Sequence, residues 1–255
     1  MTARTTDASP NLNRGIIGNA SLAAMIDDTA GLDWMCAPRM DGDPVFCGLL
    51  GDQGAPGEGS WRFRLHGQQS STQRYLRNTA ILETILTDAA GNRARILDFA
   101  PRFRAAGRIF RGFSVIRIIE PLEGTPQVTV SLRPRFDYGA HRPEVTRGTN
   151  HIRYLLGPQV LRLTTDAPVD YVLAETPFLL ERPLAFILGP DESLTDHPMA
   201  IARGFLRDTR RYWLDWVRSL ALPVDFQDVV IRAAITLKLC SNEENAIGLV
   251  SIVRL

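Results

Sequence analysis

A chain of 255 residues, 45% of them hydrophobic, is long enough to bury a sizeable core as one large domain or one domain plus a further piece. Its formal net charge of +1 gives no electrostatic reason to expect nucleic acid or a membrane surface as partner. Cys36, Cys47 and Cys240 are odd in number, form no CxxC and sit in apolar contexts, so buried free thiols are expected and neither a disulfide framework nor a zinc site is. Lys238 is the single lysine, which makes the basic content almost entirely arginine. No apolar leader opens the chain and no apolar run is long enough to span a bilayer, so a cytoplasmic protein is expected.

Residues 1–13 are polar and read as a frayed tail. Leu22 to Ile26 is a short apolar run, and Asp27 to Gly31 is turn chemistry, with Gly31 available for a positive φ. Leu32 to Cys36 reads as the return strand, with Leu32, Trp34 and Cys36 on one face and Asp33 and Met35 on the other. Pro38 stops the pairing, and Arg39, Asp41 and Asp43 follow in a loop before Pro44 and the apolar segment Val45 to Leu50. Such a loop is either a solvated turn with a local ion pair or the lining of a polar pocket. The glycine-rich stretch from Gly51 to Gly59 lacks the Gly-Lys-Ser/Thr of a phosphate-binding loop and reads as a long turn.

Short strands then follow one another. Trp61, Phe63 and Leu65 alternate with Arg62 and Arg64. Thr79 to Thr87 and Arg93 to Phe99 flank Asp88 to Asn92 as a hairpin. Phe113 to Ile119 is a β-branched run ended by Pro121, and Val128, Val130 and Leu132 alternate. Further strands are predicted at Ile152 to Leu156, Val160 to Thr164, Tyr171 to Ala174 and Ala185 to Leu188. The pattern is that of an all-β sandwich. From Pro198 the period becomes helical, with Ala202, Phe205, Leu206, Thr209, Trp213, Trp216, Val217 and Leu220 on one stripe, and Pro223 ends that helix. Asp225 is a suitable N-cap for a second helix to about Cys240, apolar nearly all round. The predicted division is a tail at 1–13, a β-sandwich domain at 14–197, a linker helix at 198–222 and a final segment at 223–255.

No constellation in this chain spells out a complete chemistry. His66, His141, His151 and His197 lack metal-ligand spacing, no nucleophile elbow occurs, and no cofactor is expected. Asp41 and Asp43 are close in sequence on a loop, where solvated aspartates far outnumber catalytic ones. Trp34, Trp61, Trp213 and Trp216 have the spacing of strand and helix cores, and burial is favoured over sugar stacking. Arg133 and Arg135 beside Phe136 and Tyr138 read as a strand end with a local ion pair.

Several ordered segments resemble glycoside hydrolase family 15, the bacterial and archaeal glucoamylase and trehalase-like group. They are Ile17-Gly18-Asn19, Ala23 to Asp27, Gly31 to Cys36, Pro38-Arg39-Met40-Asp41 and Pro44-Val45-Phe46, with Met40 where the family has Phe. Arg74-Tyr75-Leu76, Thr79 to Thr84, Asp98-Phe99 through Arg102 and Arg133 to Gly139 continue the match, as do Tyr212 to Trp216, Leu222 to Asp228 and Val230 to Leu239. The resemblance implies a large antiparallel supersandwich, a linker helix and the first helix of an (α/α)6 catalytic barrel. It also implies inverting hydrolysis of α-glucosidic bonds by two barrel glutamates, with an α-glucan or α-glucoside as substrate.

A barrel of about twelve helices of roughly 10–14 residues needs several hundred residues. From Asp225 onward only 31 remain, and the pattern departs after Leu239, so the expectation is an incomplete barrel and a frameshift or premature stop near Glu244. No catalytic residue is therefore assigned, and the chain is expected to be inactive alone. Under this resemblance Arg39 and Asp41, with Trp34, are the residues expected to reach the substrate pocket. The alternatives are a stand-alone carbohydrate-binding or interaction sandwich, and an inactive truncated product. The apolar helix from Val229 to Leu239 is expected to take a barrel partner or to self-associate.

Overall fold

A computed structural model describes residues 13–50 and 57–241. Part of the glycine-rich stretch, the tail before Asn13 and the segment after Ser241, including Glu243 and Glu244, lie outside the described residues.

In chain order the strands are β1 (Arg14–Gly18), β2 (Ala23–Asp27), β3 (Leu32–Ala37), β4 (Asp43–Cys47), β5 (Ser60–Leu65), β6 (Gln68–Tyr75), β7 (Leu82–Asp88), β8 (Arg93–Phe99), β9 (Phe103–Ala105), β10 (Arg108–Phe110), β11 (Val115–Glu123), β12 (Gln127–Arg133), β13 (Glu144–Arg147), β14 (His151–Leu156) and β15 (Gln159–Thr165). Helix α1 (Val169–Leu173), β16 (Phe178–Leu179), β17 (Leu184–Pro190), α2 (Pro198–Arg218) and α3 (Gln227–Cys240) complete them. One sheet runs β1-β2-β3-β5-β12-β16 with β4 beside β3, and the other runs β13-β14-β15-β17-β11-β8-β7-β6. All pairs within them are antiparallel. The mainly-β sandwich expected from the strand pattern is the observed fold.

The sandwich core forms where alternating side chains of the two sheets meet. Trp61 and Phe63 of β5 point across to Phe186 of β17, with ring centroids 6.4 and 5.2 Å apart. All three rings are almost fully buried, each stabilising by about 1.5–3 kcal/mol. The outer face of the second sheet carries another apolar layer, Leu97, Phe99, Ile116 and Ile118, which is covered by α2 through Ala202, Phe205 and Leu206.

α2 starts where the sequence places it. Pro198 takes the first turn, where its missing N–H costs nothing, and the Met199 N–H donates to His197 Nδ1 at 3.3 Å. It stops at Arg218, earlier than Pro223, because Ser219 donates its hydroxyl to the Trp216 carbonyl at 2.7 Å. α3 then packs Ile231, Ile235 and Leu239, one side of the helix, against Ile16, Ala80, Trp213 and Val217. Arg232 reaches from it to the Thr79 carbonyl at 2.9 Å and lies 3.8 Å from the centre of the Tyr75 ring.

Several local expectations fail for identifiable reasons. A bulge between Met25 and Ile26 shifts the β2–β3 register, so Leu32 and Met35 both enter the core while Trp34 lies half-buried outside it. Gly31 does not take a positive φ; Ala30 does, at 65°. Gly31 is needed because a Cβ there would stand 2.4 Å from the Arg62 guanidinium. Tyr171 to Ala174 is not a strand: α1 and its cap occupy it. β11 runs through Pro121 to Glu123, with its register shifted between them. Asp225 does not cap α3, whose N-cap is Phe226 in the left-handed region at φ 60°.

Candidate functional site

The opening motifs fold into a clamp at one end of the sandwich. Asn19 is fully buried between β1 and β2. Its side-chain amide donates to the Pro101 and Gly112 carbonyls, each at 2.9 Å, tying the end of the first sheet to the chain that links β8 with β11. Its side-chain oxygen accepts from the N–H groups of Ser21 and Leu22, and its backbone carbonyl accepts from Arg102 at 2.6 Å. The next residue, Ala20, donates its N–H to the Leu239 carbonyl at 3.0 Å, so α3 ends on this same turn.

The Arg39–Asp41 loop sits at that end too, because β3 runs antiparallel to β2 and its last residues pair with the start of β2. Arg39 and Asp41 bind each other through two contacts of 3.0 and 3.1 Å, with both side chains more than half exposed. Such a pair contributes little stability. Trp34 is half-buried on β3, paired with Met25 and Cys47.

A second quoted segment joins this loop. The Asp43 carboxylate accepts from the backbone N–H groups of Asp137 and Tyr138, the latter at 2.8 Å. Both residues have positive φ, and Asp43 satisfies the donors that this tight turn leaves pointing outward. Below it, Glu58 binds Arg135 at 3.1 Å and Arg142 at 2.8 Å. The structure thus brings Asp43, just after the Arg39–Asp41 pair, against the turn after Arg135, which sequence spacing alone does not show.

Acid–base hydrolysis needs a carboxyl held protonated and a second one free to activate water. The carboxylates that line cavities here are engaged with arginine instead. Glu120 pairs with Arg95, Asp215 with Arg218 at 3.1 Å and Glu175 with Arg133 at 2.6 Å. Burial works to raise Glu175, but hydrogen bonds from Arg133 and Ser131 hold it below the usual carboxylate range. Arg207 at 2.9 Å does the same for Asp208. Burial does push Asp33 and Asp98 upward, yet Asp33 is closed off by Arg14 at 2.9 Å and Asp98 lies inside the sandwich against Arg117. Burial also raises Cys36 and Cys240 to about 11, which leaves both as neutral thiols. Among the described residues, no three His, Cys, Asp or Glu gather as a metal site, and no helix is long and apolar enough to cross a membrane.

α3 presents a different kind of surface. Val229 and Leu237 are 68% and 56% exposed on the side opposite Ile231 and Ile235, and Phe226 and Val224, just before the helix, are 81% and 91% exposed. This apolar stripe begins and ends on the molecule's outside. The all-round apolar sequence of α3 signals it; the clamp residues Asn19 and Arg102 are visible in the sequence only as parts of a resemblance, and for Arg117 the one sequence signal is an arginine inside a β-branched run.

The chain is similar to three trehalases. It is 21% identical to the trehalase of Thermoplasma volcanium over 248 residues, covering 92% of this chain and 38% of that protein. It is 28% identical to trehalase 1 of Sulfolobus acidocaldarius over 160 residues, 62% of this chain and 26% of the relative. The trehalase of Mycolicibacterium smegmatis is 27% identical over 150 residues, 54% and 22%. The chain therefore spans between about a fifth and two fifths of the relatives it matches. The family described as trehalase-like, N-terminal matches residues 4–172, which include the clamp, the Arg39–Asp41 loop and most of both sheets. The chain belongs to the trehalase-like N-terminal domain family.

Proposed function

We propose that this chain is the non-catalytic β domain of a trehalase-like glycoside hydrolase, and that it braces a helical catalytic domain acting on an α-glucosidic bond. One observation carries the reading. α3 is fixed to the sandwich by one side and leaves Phe226, Val229 and Leu237 bare on the other. A helix apolar on both sides belongs between two packed bodies. The matched trehalases extend well beyond the span shared with this chain, which supports a second body of the same kind. The Arg39–Asp41 loop lies at the end of the sandwich where α3 terminates, with Trp34 further back along β3, and in this reading they border the α-glucoside pocket of the assembled enzyme. The acid and the base come from the helical domain.

The test is hydrolysis of trehalose, maltose and soluble starch by the purified chain, alone and after co-expression with the portion of the Thermoplasma volcanium trehalase that lies beyond the span shared with this chain. No turnover alone, and a co-purifying active complex, are expected. Hydrolysis by the chain alone would overturn the reading.

A second reading has its own observation. A cleft of about 530 Å³ between the β9–β10 hairpin and α2 is lined by Phe103, Tyr212 and Trp216 with Asp208 and Asp215 beside them. Aromatic faces next to carboxylates are the chemistry of saccharide binding. A change in tryptophan fluorescence on titration with maltooligosaccharides, lost in Trp216→Ala, would favour a carbohydrate-binding module.

A further inference from the structure

The adjoining flank of α2 carries a second surface, which shares Arg211 and Asp215 with that cleft. A groove of about 820 Å³ runs between α2 and the outer face of β8 and β11. Seven arginines line it against two carboxylates, Glu120 and Asp215. Five of the seven, Arg203, Arg207, Arg210, Arg211 and Arg218, come from α2 and are exposed. Their spacing keeps them on one flank of the helix for about 22 Å, at 1.5 Å per residue. Such crowding of like charge is unfavourable at i,i+4 spacing. Yet the local acids offset it only in part. Asp208 is taken by Arg207 and Asp215 by Arg218, while Glu120 is held by Arg95 across the sheet. Arg203 and Arg210 have no ion-pair partner among the described residues.

The floor of the groove decides between ligands. It is aliphatic: half-buried Leu76, Leu206 and Leu214, set over Leu97 and Ile118, which face each other on β8 and β11 and are themselves almost fully buried. Among the described residues no aromatic ring lines it, so they offer no platform on which a base or a sugar would stack. Among the same residues no hydroxyl or amide side chain lines it either, and its two carboxylates are engaged with arginine, so its polar recognition is mainly by guanidinium. A small inorganic anion would use two or three arginines and none of the floor. An extended polyanion would use the arginines and leave the floor wet.

We propose that this groove docks an acidic amphipathic helix of a protein partner. Its aliphatic face rests on Leu76, Leu206 and Leu214, and carboxylates three or four residues apart meet the α2 arginines. The match is one of charge and of shape. Arginine forks pair with carboxylates through two hydrogen bonds, and a groove beside a helix of four to five turns accepts a second helix laid along it. The groove lies beside the bare side of α3 rather than on it: Arg77 on its rim contacts Asp228 of α3 at 3.8 Å, while Phe226, Val229 and Leu237 do not line it.

The experiment uses the full chain and a synthetic 18-residue probe (about five turns) with leucine on one face and glutamate flanking it. Binding is read by fluorescence anisotropy at about 50 and about 300 mM salt. Micromolar binding, weakened by salt, is expected. Arg203→Glu with Arg210→Glu should weaken it about tenfold or more, whereas Arg108→Glu on β10, outside the groove, should leave it unchanged. Leu214→Ser should weaken the peptide without weakening polyphosphate, which separates the floor from the charges. Melting curves check that the exposed arginine variants remain folded, and Arg203→Ala with Arg210→Ala serves if they do not. No binding, binding insensitive to both arginine pairs, or tighter binding of polyphosphate or single-stranded DNA than of the peptide would overturn the proposal.

Discussion

Asp98 and Arg117 face each other across β8 and β11 and form a two-pronged ion pair with no solvent exposure on either side chain, at 2.7 and 3.1 Å. Arg117 also donates to the Trp61 carbonyl at 2.8 Å, on β5 of the opposite sheet, and to the Ala30 carbonyl at 2.6 Å, in the turn between β2 and β3 of that sheet. Its guanidinium lies 4.9 Å from the Trp61 ring centre and 4.6 Å from that of Phe63. A single side chain thus joins the two layers through the middle of the sandwich.

Arg117→Met should destabilise the fold by about 3–5 kcal/mol, since it strands a carboxylate and two carbonyls in the core. Asp98→Leu combined with Arg117→Met should recover part of that loss, because removing both charges is cheaper than removing one. Urea unfolding of the single and double variants measures it. A single-variant loss below about 1 kcal/mol would mean water reaches the pair.

Asn19→Ala removes two amide donors and the acceptor for two backbone N–H groups, all at one buried turn. The expected loss is about 2–4 kcal/mol, from unsatisfied buried groups. The amides of Ser21 and Leu22 should exchange with solvent faster than those of β2. The same loss should loosen the end of α3, since Ala20 holds Leu239.

Asp27 gives a pH signature. Burial raises its carboxyl, but Arg62 at 2.7 Å and hydrogen bonds from Gly31 and Thr29 outweigh burial and hold it below its usual value. A carboxyl whose folded pKa is depressed adds stability that is complete above the unfolded value, about 3.9, and is lost as pH falls through the folded value. Asp27→Asn should therefore be less stable than the wild type by about 2 kcal/mol at neutral pH, and the gap should close below about pH 4. Asp98 titrates in both proteins, and the Asp27 charge is one of the causes that raise Asp33, so the difference reports Asp27 together with its coupling to Asp33. A gap that persists unchanged at pH 3 would contradict this.

The strand-rich body was legible because alternation survives wherever one face meets the core: Trp61, Phe63 and Leu65 of β5 are all buried as their spacing implies. Expectations failed where a local device overrode the period. The β2–β3 bulge turned Met35 inward and left Trp34 outside, and α1 took a segment whose four residues are too few to fix a period. β6 had no apolar signal because it is a mostly polar edge strand. The Arg39–Asp41 pair was readable from its two-residue spacing. Its approach to the turn at Asp137 and Tyr138, through Asp43, depends on pairing between strands distant in sequence, and no local pattern carries that.

In the proposed function, the bare side of α3 is a packing surface for a helical catalytic domain. Val229 and Leu237 are exposed, so Val229→Arg with Leu237→Arg should leave the melting temperature of the isolated chain within about 2 °C of the wild type. The decisive measurement is co-purification of that double variant with the portion of the Thermoplasma volcanium trehalase that lies beyond the span shared with this chain, beside the wild-type chain. Loss of the complex with the fold intact is the expected result. A complex of unchanged yield would place the catalytic domain elsewhere and contradict the account.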